Sequence, residues 1–295
     1  MNNLADNEDS SKNIKSSEIV EDQQKRQYHI GLAPGEVANT VILVGDPQRA
    51  EKVAEYFDSI EVQKSNREFV TFTGKYKNLP ITVMSTGIGP SNVEIAIIEL
   101  SRIFNESDSV PTFIRAGSSG SLQEKIQIGE LVISTGAVRL EDTSTYFVDT
   151  NYPALANYEV ILALISSAEK NKMPYHIGIT ASASGFYGAQ GRELEKFPVR
   201  ENNIQETLAK RNVLNFEMES SALFTLSSLA NFRSGTVCAV YANRQANTFI
   251  DEKTKQEAEQ RVIQCGLDAA LIISKMDEVK KISRQKNWTV DLSLK

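Results

Sequence analysis

Short β-branched runs that end in glycine and pass into amphipathic stretches constrain this chain more than any other feature. TVILVG (40–45) leads into RAEKVAEYF, and PITVMSTGIG (80–89) leads into NVEIAIIELSRIF; PTFIRAGSSG (111–120) and GELVISTGAVRL (129–140) follow. Further on, YEVILALISSAEK and NFEMESSALFTLSSLA carry helical apolar spacing, HIGITASASG and SGTVCAVYANR have strand character, and a long last helix is spaced over 254–276. Strands alternating with helices in this way predict an α/β protein with a largely parallel central sheet. Neither an internal repeat nor a linker interrupts the pattern, so one domain over residues 28–276 is expected. Residues 1–27 are polar and poor in aromatics, which predicts a disordered tail. Residues 277–295 form a C-terminal extension with the only tryptophan, Trp288, whose role the sequence does not reveal.

Composition narrows the function. With a net charge of −6 and a pI near 5.2, nothing favours nucleic acid or an anionic membrane as a partner. The tail holds six acidic and four basic residues, so the remainder is still acidic. No apolar run approaches the roughly 18 residues that span a bilayer, and the first residues lack a signal-peptide pattern, so a cytoplasmic protein is expected. Cys238 and Cys265 lie in apolar contexts, as core thiols of a reducing compartment do. His29 and His176 have no partner at metal-ligand spacing, so no metal site is expected.

In open α/β sheets ligands bind beyond the C-terminal ends of strands. VGDPQR (44–49) places Gly45 and Arg49 there, and IRAGSSG (114–120) places Arg115 before Gly117, Ser118, Ser119 and Gly120. Arginine forks and runs of backbone N–H donors suit phosphate oxygens. Each motif alone is also ordinary turn chemistry. TGIGPSN resembles a dinucleotide fingerprint, but Asn92 stands where its third glycine belongs, which argues against such a cofactor. NFEMES (215–220) flanks Met218 with Glu217 and Glu219; these carboxylates either support a helix N-terminus or accept from sugar hydroxyls. YANR (241–244) should face the same crevice. SGFYGAQGRE (184–193) sets Phe186 and Tyr187 before Gln190 and Arg192, either as a surface turn or as a reader of a flat polar ring, and the loop is expected to be exposed when empty.

YHIGL, ILVGDPQR, NREF, MSTGIG, IRAGSSG, GFYGAQGR, NFEMES and ANR occur in an order and spacing, over residues 28–275, that closely resembles the nucleoside phosphorylase family and, through F-Y-x-x-Q-x-R, its pyrimidine branch, the uridine phosphorylases. The resemblance implies a single-domain, three-layer α/β/α fold with a mixed, largely parallel sheet. It implies phosphate held by Gly45, Arg49, Arg115 and Ser118, joined by Arg67 of a neighbouring subunit. Ribose would be held by Ser118, Met218 and Glu219, with His29 of the neighbour on the 5′-hydroxyl. Phe186 would stack on uracil and Gln190 and Arg192 would read its edge, the pocket being completed by Ser119, Gly120, Glu217, Tyr241, Ala242 and Arg244. Arg115, Gln190, Arg192 and Glu219 would carry catalysis, the reversible conversion of uridine and inorganic phosphate to uracil and ribose 1-phosphate in pyrimidine salvage and uridine catabolism.

No cofactor is implied; the assembly would be a homodimer or a trimer of dimers with shared sites. The family's interface cation uses positions matching Glu68, Ile88 and a serine, and Asn92 in the serine's place argues against bound potassium. Serines replace the common threonines at 118 and 119, and Gly188-Ala189 replaces a stiffer proline-glycine pair. A purine nucleoside phosphorylase, which commonly has aspartate where Asn243 stands, a nucleosidase and a catalytically silent nucleoside-binding homologue remain alternatives.

Overall fold

A computed structural model describes residues 17–104 and 110–293. In chain order the elements are β1 (Thr40–Val44), α1 (Pro47–Ala54), β2 (Ser59–Asn66), β3 (Phe69–Tyr76), β4 (Leu79–Ser85), α2 (Pro90–Ser101), β5 (Thr112–Ser121), β6 (Leu131–Leu140), β7 (Ala154–Leu155), α3 (Tyr158–Lys170), β8 (Tyr175–Ala183), α4 (Ile204–Lys210), β9 (Asn215–Glu217), α5 (Ser220–Leu229), β10 (Arg233–Asn243), β11 (Thr248–Phe249), α6 (Glu252–Ile282) and α7 (Val290–Ser293).

One sheet runs in the order β11-β10-β6-β8-β9-β5-β1-β4-β3-β2, with β7 added beside β6. Parallel pairing holds its centre, joining β1 to β4 and β5, β5 to β10, and β8 to β6 and β9. The remaining pairs are antiparallel, among them the β2-β3-β4 meander, the β10–β11 edge and, inside the centre, β10–β6 and β5–β9, so the sheet is mixed with most of its central pairs parallel. Because β10 pairs with both β5 and β6, strands β5, β9, β8, β6 and β10 close into a ring.

Helices cover both faces. Successive side chains of a strand point to opposite sides, and β1 shows the result: Ile42 and Val44 pack with residues of α1, α3 and α6, while Val41 and Leu43 pack with residues of α2 and α5. This is the three-layer α/β/α arrangement. Asp46 begins α1, its carboxylate accepting from Gln48 N at 2.9 Å ahead of Pro47, and Asp251 does the same for α6 through Thr254 N. No helix among the described residues is long and apolar enough to cross a membrane.

Of the boundaries that differ from the sequence-based expectation, three have a tertiary cause. Residues 1–16 of the expected disordered tail lie outside the described residues. Residues 17–27 lie against the domain: Arg26 forms a forked pair with Glu36 at 2.6 and 2.9 Å, Glu21 meets Arg102, and Gln27 is buried. Residues 215–217, expected to open a helix, form β9 because they complete the ring between β5 and β8. The last helix runs beyond 276 to Ile282 because Asp277 and Lys280 join Arg233 and the buried Glu159 in one ion-pair cluster. Trp288 packs against the core and its backbone N–H donates to Glu159 at 2.9 Å, so the C-terminal extension clasps the α3–α6 face.

Candidate active site

A cavity of about 790 Å³ opens where β1, β4, β5 and β10 end. Of the residues singled out from the sequence, Gly45, Arg49, Arg115, Ser118, Ser119 and Gly120 line it from the phosphate-binding motifs. Glu217, Met218 and Glu219 line it from the β9–α5 junction, Phe186, Gln190 and Arg192 from the aromatic loop, and Tyr241 and Ala242 from β10. A concave site of this size suits a small molecule.

Arg115 is buried on β5, and its guanidinium pairs with Glu219, lies 4.0 Å from Glu217 and approaches Cys238 Sγ at 3.4 Å. Burial works against its charge, yet the carboxylates of Glu219 and Glu217 hold its pKa above the ordinary arginine value. Burial also pushes the Cys238 thiol up to about 12, so it sits beside Arg115 as a neutral group. Gly117 makes this path possible, since a Cβ there would overlap the Arg115 guanidinium.

The two glutamates differ in duty. Glu217 accepts from Glu219 N at 2.9 Å, from Ser220 N and Oγ at 2.8 Å each, and from the Ser182 hydroxyl, so it secures the start of α5 as a helix-terminal carboxylate does. Glu219 accepts from Gly89 N at 2.8 Å and from Arg115, and its carboxylate remains on the cavity wall. Ser119 Oγ is buried without a protein partner. An unpartnered hydroxyl on a cavity wall is available to a ligand.

The aromatic loop is divided. Phe186 and Tyr187 are 49% and 57% exposed, as expected, but Gln190 is only 3% exposed because the turn folds it inward. Gly191 permits this turn with φ of 67°, and a side chain there would press on the Asn202 carbonyl oxygen. Arg192 donates to Gln190 Oε1 and to the Phe186 carbonyl, at 2.5 Å each, and lies 3.9 Å from the Phe186 ring centre. Burial, reinforced by Arg244, lowers the Arg192 pKa to about 10. Arg244 does not line the cavity; it donates to the Gln190 carbonyl at 2.7 Å and so braces the loop from behind.

His29 and Arg67 also stand apart from this chain's own cavity. His29 Nδ1 meets Glu99 at 2.5 Å, Arg67 lies 5.6 Å from the Tyr28 ring, and Asn66 holds the Tyr28 and His29 carbonyls. They form one patch. Glu68, Ile88 and Asn92 line the cavity instead. Sequence reasoning missed Lys255 and Phe249 on the cavity wall and Glu259 behind Arg49. Arg49 and Glu259 are 210 positions apart, and only the docking of α6 joins them.

Buried arginines and carboxylates around a cavity at the ends of parallel strands define an α/β protein built to bind a small anionic or polyhydroxylated molecule. The chain belongs to the phosphorylase superfamily, whose sequence profile matches residues 39–275. Uridine phosphorylase of Thermococcus kodakarensis is 43% identical over 275 residues, covering 92% of this chain and 96% of its own. A solved Trypanosoma brucei nucleoside phosphorylase, described as showing uridine phosphorylase activity, superposes with a TM-score of 0.80 at 26% identity, covering 86% of this chain and 99% of that one. Guanosine phosphorylase of Halorubrum lacusprofundi is 31% identical over 252 residues, covering 83% of this chain and 98% of its own.

Proposed function

We propose that this chain is a uridine phosphorylase, a pentosyltransferase that reversibly converts uridine and inorganic phosphate to uracil and ribose 1-phosphate, with no cofactor, in the cytoplasm. The observation that carries the reading is the inward turn of Gln190, beside Arg192, onto the cavity that Arg49, Arg115 and Glu219 also line. A carboxamide can accept from uracil N3–H and donate to one carbonyl, while a guanidinium donates to the other. Phosphate would sit on Gly45, Arg49, Arg115 and Ser118, and ribose on Met218 and Glu219, whose carboxylate accepts from sugar hydroxyls.

Phosphate attacks C1′ as the glycosidic bond loosens, the sugar gains oxocarbenium character, and the leaving uracil carries negative charge on its carbonyl oxygens. Arg192 stabilises that charge where it develops. The phosphate dianion is already the nucleophile, so catalysis rests on positioning and electrostatics. His29 and Arg67 would serve the partner subunit's site in a homodimer, a reading supported by their absence from the wall of this chain's own cavity.

One detail favours a pyrimidine over a purine. Asn243 Nδ2 donates to the carbonyls of Gln123, Glu124 and Ile126 at 2.8–3.2 Å, and its Oδ1 accepts from Gln245 N and Ala246 N, so its side chain is consumed by the local turn. An aspartate there would face three carbonyl oxygens.

Uridine turnover measured with and without phosphate tests the reading: uracil and ribose 1-phosphate should appear only with phosphate. Equal uracil release in its absence would make the protein a nucleosidase, and preference for guanosine would move it to the purine branch. Gly117→Ala should cost about 10²-fold in kcat/KM, because misplacing a catalytic group by about 1 Å is enough to do so. Full activity in that variant would detach Arg115 from the chemistry.

A further inference from the structure

Glu259 lies on α6, outside every motif considered above, and is buried beside Arg49. Its Oε1 accepts from Arg49 Nε at 2.9 Å, and its Oε2 is held by Lys52. The two outer nitrogens of Arg49 make only long contacts, Nη1 to the Ala116 carbonyl at 3.3 Å and Nη2 to the Tyr241 hydroxyl at 3.4 Å. The inner N–H of the guanidinium is therefore committed to the protein, and the outer fork is the part left for a ligand. A carboxylate fixed at both oxygens cannot swing with the arginine, so it sets the plane and direction of that fork. Lys52 offsets the charge of Glu259, so the cluster of Arg49, Lys52 and Glu259 keeps one net positive charge toward the cavity.

We infer that Glu259 is a positioning residue for the oxyanion co-substrate: it aims the Arg49 fork, with Lys52 preventing its carboxylate from cancelling the arginine's charge. The inference rests on the phosphorolytic reading of the same cavity and adds to it the group that orients one of the phosphate contacts. Preorganised donors hold an anion with less rearrangement on binding, so losing the brace should weaken phosphate and leave the nucleoside end of the cavity unaltered.

The test is steady-state kinetics of the full-length Glu259→Gln enzyme, with phosphate and uridine varied independently. Glutamine keeps the shape but loses the charge-assisted bond, so KM for phosphate should rise about 10- to 100-fold. KM for uridine and kcat should change by less than about threefold, since neither depends on that bond. Glu259→Asp, which retains the carboxylate, should recover part of the phosphate affinity; it also carries the test if the glutamine variant does not fold, in which case its own rise in phosphate KM alone is the expected result. An unchanged KM for phosphate, or equal increases in both KM values, would overturn the inference. Wild-type turnover that is indifferent to phosphate would instead overturn the phosphorolytic reading, and the two failures are separated by that control.

Discussion

Gln190→Leu is expected to lower kcat/KM for uridine by about 10³- to 10⁴-fold, because a site built to hydrogen-bond a substrate rejects one whose polar edge it can no longer pair. Leucine has nearly the volume of glutamine but supplies neither donor nor acceptor, so a bound uracil would lose its N3–H and one carbonyl contact at a buried position. Within the protein itself, Gln190 Oε1 takes a bond from Arg192 at 2.5 Å, and Arg192 has a second acceptor in the Phe186 carbonyl. Losing one such bond costs about 1–3 kcal/mol, which leaves a folded enzyme of ordinary stability. Circular dichroism and an unfolding curve establish that the variant is folded. An unaltered kcat/KM in such a protein would remove the loop from the active site.

If the chain works as the proposed two-fold dimer with shared sites, Arg67→Ala and Glu219→Ala should each be nearly inactive on their own, since losing one preorganised charged contact commonly costs about 10²- to 10³-fold. Glu219 lines the cavity of its own chain and Arg67 does not. If a two-fold assembly brings Arg67 to the partner's cavity, a mixed dimer of the two variants has one site with both lesions and one with neither. Unfolding and refolding them together in equal amounts should make half the dimers mixed and return about one quarter of wild-type activity under random isologous pairing. Mass analysis or differential tags verify that mixed dimers have formed. No recovery in their presence would mean that Arg67 and Glu219 serve the same site, or that Arg67 takes no part in catalysis.

Much of the fold is legible in the sequence because it is local. The spacing of YEVILALISSAEK marks α3 from Tyr158 to Lys170, the bounds the structure gives it, and the Asp46-Pro47 pair marks the start of α1. Strand character in TVILV and RSGTVCAVYAN is equally plain, since these runs are buried on both faces. β9 was not legible: NFE is too short to declare a strand against the helical pattern that follows, and it is one only because β5 and β8 lie on either side. The contacts of residues 17–27 are illegible for a related reason, as polar composition says nothing of the forked Arg26–Glu36 pair that ties them down.

At the site, residue types made Arg49, Arg115, Ser118, Gln190, Arg192 and Glu219 candidates, since each stands near a strand end or in a glycine-bounded loop. Each motif also allowed an ordinary turn or helix-start reading, and their order and spacing, which resemble the nucleoside phosphorylase family, were needed to group them into one site. Burial and partnership were decided only by tertiary structure. It turned Gln190 inward while Phe186 and Tyr187 stayed exposed, assigned Glu217 to the start of α5, put Arg244 behind the loop, and brought Glu259 to Arg49 from the far end of the chain. A sequence determines what each side chain can donate, accept or charge, and the local backbone that carries it. Which of those capacities are satisfied by protein and which are left facing the cavity depends on contacts between segments hundreds of residues apart, and those exist only once the layers have packed.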